Sequence, residues 1–273
     1  MHADLHLHTF FSDGTYSPEE LVAHASRVGL SAIALTDHDT VEGCARTAAS
    51  ARSAGIEFIT GCEFTVGHGD RELHLLGYFL DLENAALQTA LTKYQAVRRD
   101  RIEQMIGRLN ALGIPLREET VTQLANCQAP GRPHLARALV KQGYCTSLDQ
   151  AFQAYLKRGR PAWVPKDKMT SADAIQLVHA AGGVAVMAHP GINHMDDVIP
   201  ELAQLGLDGL ECFYTRHSTA MTERYLAMAE AHGLLATGGS DCHGENKGRP
   251  LMGSVRLPIE YVTRLKVAAG IAA

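Results

Sequence analysis

The sequence predicts an α/β fold in which parallel strands and crossover helices take turns, broken by one all-helical insertion. Three observations carry this prediction. Short apolar, β-branched runs alternate with helical patterns between residues 2 and 66, and the same rhythm returns between residues 171 and 238. The stretch from Leu82 to about Pro165 carries helical patterns and no strand signal. Capping residues, Pro and Gly mark the element ends.

The first strand, His2 to His8, alternates, with His2, Asp4, His6 and His8 on one side and Ala3, Leu5 and Leu7 on the other. That polar side is unsuited to a plain core. Ser17-Pro18-Glu19-Glu20 is a capping box with proline at the first helical position, opening a helix to about Val28 that Gly29 ends. Ser31 to Thr36 is a second strand, Val41 to Ala54 a helix, and Ile56 to Val66 a third strand. The turn Gly67-His68-Gly69-Asp70 leads to a hairpin partner, Glu72 to Phe79. The insertion contains a long helix from Asn84 to Leu112, a shorter one after Glu118, one from Arg132 to Gln142 and one from Ser147 to Lys157. Helices at Ser171–Ala181, Val198–Leu205 and Thr219–His232 then alternate with strands at Gly183–Ala188, Gly209–Phe213 and Leu234–Gly238. Parallel strands with crossovers follow from that order, and a barrel is one way to close them.

The 273 residues, 46% hydrophobic and 20% charged, suffice for a full core. A net charge of -5 argues against duplex nucleic acid as a partner. The cysteines Cys44, Cys62, Cys127, Cys145, Cys212 and Cys242 show no CxxC pair, which fits reduced thiols. No leader or bilayer-length apolar run is found, so the expected location is the cytoplasm, away from membranes.

The candidate chemistry lies in His6, His8, Asp13, His38, Glu63, His74, His189, Asp241 and His243. Imidazoles and carboxylates together suit borderline and hard divalent cations. Most of these residues fall at the carboxyl ends of strands, where parallel α/β proteins build active sites. Spacing by two lets His6 and His8, and Asp241 and His243, act as pairs while Leu7 and Cys242 turn aside. Glu63 has two oxygens and can bridge two cations. Isolated helix histidines such as His24, His179 and His232 read as packing or surface residues, and no nucleophilic serine or P-loop stands out.

As a set, His6-Leu7-His8-Thr9, Ser12-Asp13-Gly14, Thr36-Asp37-His38-Asp39, Gly61-Cys62-Glu63, Glu72-Leu73-His74-Leu75-Leu76-Gly77, Ala188-His189-Pro190 and Gly239-Ser240-Asp241-Cys242-His243 resemble the successive motifs of the PHP (polymerase and histidinol phosphatase) metallophosphoesterases. The resemblance spans the chain. It implies a distorted (β/α)7 barrel from residues 1–82 and 166–273, with residues 83–165 as a helical lid. It also implies three divalent cations, manganese foremost, with iron or zinc as alternatives.

By motif, His6, His8, Glu63 and Asp241 would hold one cation, the shared Glu63 with His74 and His189 a second, and Asp13, His38 and His243 a third. Asp13, His38 and His243 are also the catalytic candidates. His194 is a rival ligand without the His-Pro context; Asp37 and His217 are, with Asp13, candidate acids for the leaving group. Arginine-bearing lids in short PHP phosphoesterases grip phosphate, which nominates Arg99, Arg101, Arg132 and His134 as substrate contacts. Arg98, which shares a helix face with Arg101, is assigned to a solvated face.

Length and insertion look most like the branch that removes the 3'-phosphate from nucleoside 3',5'-bisphosphates. A 5'-to-3' exonuclease on short 5'-phosphorylated RNA uses the same handle. Histidinol phosphatase and a non-catalytic metal-binding module are the other readings. The expected partner is a small phosphorylated nucleotide.

Overall fold

The backbone N–H of Glu20 donates to Ser17 Oγ at 3.1 Å, and the Ser17 N–H donates to Glu20 Oε2 at 2.8 Å. That reciprocal cap starts the first helix at Pro18, as the capping box requires. The computed structural model describes residues 1–125, 130–247 and 250–272. Cys127 lies outside the described residues.

The strands are β1 (His2–Leu7), β2 (Ala32–Leu35), β3 (Glu57–His68), β4 (Arg71–Tyr78), β5 (Met169–Thr170), β6 (Val184–Met187), β7 (Gly209–Tyr214), β8 (Leu235–Gly239) and β9 (Leu257–Pro258). The helices are α1 (Pro18–Arg27), α2 (Cys44–Ser53), α3 (Ala85–Ala111), α4 (Glu118–Ala125), α5 (Arg132–Lys141), α6 (Leu148–Ala151), α7 (Ser171–Ala180), α8 (Pro190–Asn193), α9 (Ile199–Gln204), α10 (Thr219–Ala231) and α11 (Ile259–Ala268). One sheet runs in the order β8-β7-β6-β4-β3-β2-β1-β9, with β5 added to β3.

This is an α/β fold, a distorted and nearly closed barrel. The ring closes between β1 and the segment after β8, through a parallel bridge of Leu7 with Cys242 and a 3.0 Å hydrogen bond from His8 N–H to the Cys242 carbonyl. A side chain at Gly239 would place its Cβ 2.5 Å from the His6 nitrogen, so only glycine permits this approach. Two strands break the parallel pattern, the edge strand β9 and, within the ring, β4, which runs antiparallel to both β3 and β6. Its turn is too short for a crossover, and Gly69 at φ +57° reverses the chain there.

The helical segment has a core of its own. Ile102, Met105 and Leu109 of α3 pack with Val121 of α4, Leu135 and Leu139 of α5, and Leu156. The expected single helix over 147–157 is instead the short α6 followed by a π-helical turn, Phe152–Leu156. This wider turn sets Phe152 beside the cleft described below. Two C-terminal elements, β9 and α11, had no counterpart in the sequence reading; β9 pairs antiparallel with β1. A two-residue strand leaves no periodic signal.

Cys44, Cys62, Cys145, Cys212 and Cys242 are buried thiols. Cys242 packs with Leu7, Leu21 and Met252, away from the polar residues on either side of it. No helix among the described residues is long and apolar enough to cross a membrane.

Candidate metal centre

Strand ends and the loops after them bring seven of the nine expected ligands together, and Glu63 and His74, from the middle of β3 and β4, meet them there. Glu63 is at their centre. Its Oε2 lies 3.2 Å from His6 Nε2, 3.1 Å from His8 Nε2 and 3.2 Å from His38 Nδ1. Its Oε1 lies 2.7 Å from His74 Nδ1 and 3.1 Å from His189 Nε2. Burial alone would raise the Glu63 carboxyl, but the imidazoles of His38, His74 and His6 overcome it and hold the group well below the usual carboxylate range.

Three sets of donor atoms are close enough to share a cation: His6, His8, Glu63 and Asp241; His8, Asp13, His38 and His243; and His38, Glu63 and His74. The first matches the expected division. The second adds His8 to the expected Asp13, His38 and His243. In the third, His38 replaces His189, which faces the same Glu63 oxygen as His74.

The donor atoms fit divalent cations. Among the described residues, His6 Nε2, His8 Nε2 and Glu63 Oε2 are buried without a hydrogen-bond partner, although they approach one another. Two ligands on one cation with bonds of about 2.1 Å lie roughly 3.0–3.4 Å apart, the spacing seen here.

Neighbouring groups aim these side chains. Glu211, a buried carboxylate on β7, lies 3.0 Å from His6 Nδ1 and accepts the His189 backbone N–H at 2.7 Å. Tyr214 donates its hydroxyl to Asp241 Oδ2 at 2.9 Å. Asp37 accepts from Thr9 N–H at 2.7 Å and Ser12 Oγ at 2.6 Å, shaping the loop that carries Asp13. His189 and Asp241 both have positive φ, at 32° and 54°. Such backbone is costly for side-chain-bearing residues and is found where a site imposes it. Glu211→Gln should weaken cation affinity by about 10- to 100-fold, read by titration with a metal indicator, while the fold persists. Unchanged affinity would show that Glu211 does not aim His6.

A cleft of about 560 Å³ opens over the cluster, with Glu63, His189 and Asp241 on one side and Pro133, Leu148 and Phe152 of the helical segment on the other. A smaller cavity of about 130 Å³ adjoins it. That cavity shares Asp13, His38, His74 and Phe152 with the cleft and is lined by Arg98, Arg101, Arg132 and Lys166.

Arg101 and Arg132 line this cavity, whereas His134, expected as a third contact, is fully buried with Nδ1 accepting the Gly131 N–H at 2.9 Å and is not among the lining residues. Two further assignments change. Arg99 lines a separate crevice with Glu103, Glu118 and Thr122, because one helical residue turns the side chain by roughly 100°. Arg98 is not solvated: its Nη1 donates to Asp39 Oδ2 at 2.6 Å. Lys166, absent from the sequence reading, meets the same oxygen at 2.9 Å. Burial lowers Lys166 to about 8 despite Asp39, whereas Lys166 and Arg98 overcome burial to hold Asp39 below the usual carboxylate range. His194 is exposed and stands outside the cluster. His217 is engaged elsewhere, with Nδ1 2.9 Å from the Cys212 carbonyl.

The PHP domain model matches residues 4–157. The chain belongs to the PHP family. It is 34% identical over 251 residues to the 3',5'-nucleoside bisphosphate phosphatase of Chromobacterium violaceum, covering 90% of this chain and 88% of the relative. It is 34% identical over 248 residues to a 5'-3' exoribonuclease of Haemophilus influenzae, with coverage of 88% and 89%. A candidate metal-dependent phosphoesterase from Bifidobacterium adolescentis superposes with a TM-score of 0.90 at 31% identity, over 99% of this chain and 96% of that one. This PHP chain is accordingly a metal-dependent phosphoesterase, a hydrolase of phosphate esters.

Proposed function

We propose that the chain removes the 3'-phosphate from nucleoside 3',5'-bisphosphates, leaving a nucleoside 5'-phosphate. One observation carries this reading: the small cavity that gathers Arg98, Arg101, Arg132 and Lys166 adjoins the metal centre and shares Asp13, His38 and His74 with it. Two phosphates on one nucleoside could then be held at once. The four cations would take the 5'-phosphate, since guanidinium forks and a buried ammonium match its oxygens. The 3'-phosphate would lie over Asp13, His38 and His243.

Three bound divalent cations, manganese foremost, would neutralise the phosphate oxygens and acidify attacking water. The protein's own part is orientation. Glu211 holds His6 and Tyr214 holds Asp241, so the ligand face stays fixed as the phosphorus–O3' bond breaks and the alkoxide gains a proton. Phe152 lines both cavities and offers an apolar wall to the nucleoside between the phosphates. A substrate with one phosphate and a cationic amine would gain little from four cations.

The same 5'-phosphate grip would serve an exonuclease on short RNA, which the similarity to exoribonucleases favours as a second activity. The cytoplasm is the setting proposed for both.

The test is phosphate release by the manganese-loaded protein from adenosine 3',5'-bisphosphate, histidinol phosphate and a short 5'-phosphorylated RNA. AMP should accumulate from the first, chelation should stop its formation, and added manganese should restore it. Turnover of histidinol phosphate alone would overturn the reading. Arg132→Ala should raise KM for the bisphosphate by about 10- to 100-fold, the loss of one charge-assisted contact, with metal content intact. Unchanged KM would remove Arg132 from the site.

A further inference from the structure

Beyond the phosphate cavity lies a second cationic cleft of about 490 Å³ that contains none of the metal ligands. It shares Glu72, Arg101, Arg132 and Lys166 with that cavity and adds Arg71, Arg158, Lys168 and Trp163. Six cations therefore face only two lining carboxylates, Asp70 and Glu72, in a chain whose net charge is -5.

Tracing each charge shows which remain unmatched. Arg71 is paired with Asp197 at 2.8 Å and Lys166 with Asp39 at 2.9 Å. Arg132 and Lys168 share Glu72, at 3.8 and 3.3 Å. Among the described residues, Arg101 donates only to the Val164 carbonyl, at 2.9 Å, and Arg158 has no ion pair. Burial, together with Arg132 and Arg98, lowers Arg101 to about 10. Cations crowded beyond their counterions, four of them half-buried and Arg71 and Arg158 exposed, repel one another, and a multivalent anion relieves that repulsion.

We infer that this cleft is a second anion subsite, which takes the outer phosphate of a nucleotide 5'-diphosphate while Arg98, Arg101, Arg132 and Lys166 hold the inner one. The inference rests on the proposed placement of the 5'-phosphate. Arg101, Arg132 and Lys166 border both cavities, so adjacent phosphates of one diphosphate can meet them from either side. The substrate class thereby widens to 3'-phosphorylated nucleotides whose 5'-phosphate bears a further anionic group.

The test uses AMP and ADP, which lack the 3'-phosphate, on the manganese-loaded protein. Calorimetry should find ADP bound about 10-fold more tightly than AMP, with the difference shrinking as salt rises. Emission from Trp163, the single tryptophan, should respond to ADP and not to AMP. The double variant Arg158→Ala, Lys168→Ala should bind AMP as the parent does and lose the preference for ADP. Equal affinity for the two nucleotides in the parent would overturn the second subsite alone, as would a preference that survives in the variant. Binding of neither nucleotide would overturn both the subsite and the 5'-phosphate placement on which it rests.

Discussion

Glu63→Gln is expected to cut turnover by more than about a thousand-fold and to strip cations from the protein, because ligand loss exceeds the roughly 10- to 100-fold cost of disturbing a supporting contact. One carboxylate here contacts five imidazoles: His6, His8 and His38 through Oε2, His74 and His189 through Oε1. Glutamine keeps the volume but removes the charge. Its amide would also aim N–H groups where one oxygen would receive cations, so a bridge through Glu63 would become a repulsive contact. The metal-to-protein ratio by mass spectrometry and phosphate release should fall together. A variant that keeps its metal and its rate would show that Glu63 is not the bridge.

Asp39→Asn should destabilise the fold by about 3–5 kcal/mol, the cost of leaving buried charge unpaired. The Arg98 guanidinium and the Lys166 ammonium converge on Asp39 Oδ2 from α3 and from the segment returning to the barrel, and only 3% of Asp39 is exposed. Asparagine tolerates the positive φ of 52° and can still accept the Thr65 N–H, so lost charge is the main change. At about 2–4 °C per kcal/mol, the melting temperature should drop by roughly 10 °C. The pH dependence has a definite sign. Asp39 is held below its ordinary value, so its contribution is complete above about pH 4 and is lost as pH falls through the folded value. The gap between parent and variant should therefore be full at pH 7 and narrow only in strong acid. A variant with unchanged melting at pH 7 would show that this pair does not tie helical segment to barrel.

Much of this was legible in the residues, for identifiable reasons. The Ser17 box forms, strands and helices alternate as their patterns require, and the nine ligands converge because side chains two apart, such as His6 and His8, share a direction. Arg98 shows a weaker kind of inference: its three-residue spacing from Arg101 already put both on one helix face, yet a helix charge run usually faces water, and its partner Asp39 is 59 residues away. Lys166 and Glu211 had even less signal. Glu211 is the one charged residue of an apolar strand, Lys166 belongs to the charged run Lys166-Asp167-Lys168 that reads as solvated loop, and the role of each exists only once distant strands are neighbours. The π-helical turn at Phe152 has no sequence signature that separates it from the helix it continues.

The ring's closure between β1 and β8 has one further consequence. Where other strands share ladders, this join is made by the Leu7–Cys242 bridge, the His8 to Cys242 hydrogen bond and the Ser240 N–H donated to Asp4 Oδ1 at 2.8 Å. Directly flanking it are His6 and His8 on one edge and Asp241 and His243 on the other, so a cation gripped by both edges would act as a clasp on this seam. Resistance to heat and proteolysis should then track free metal concentration, and a cell short of metal would lose the protein itself as well as its catalysis.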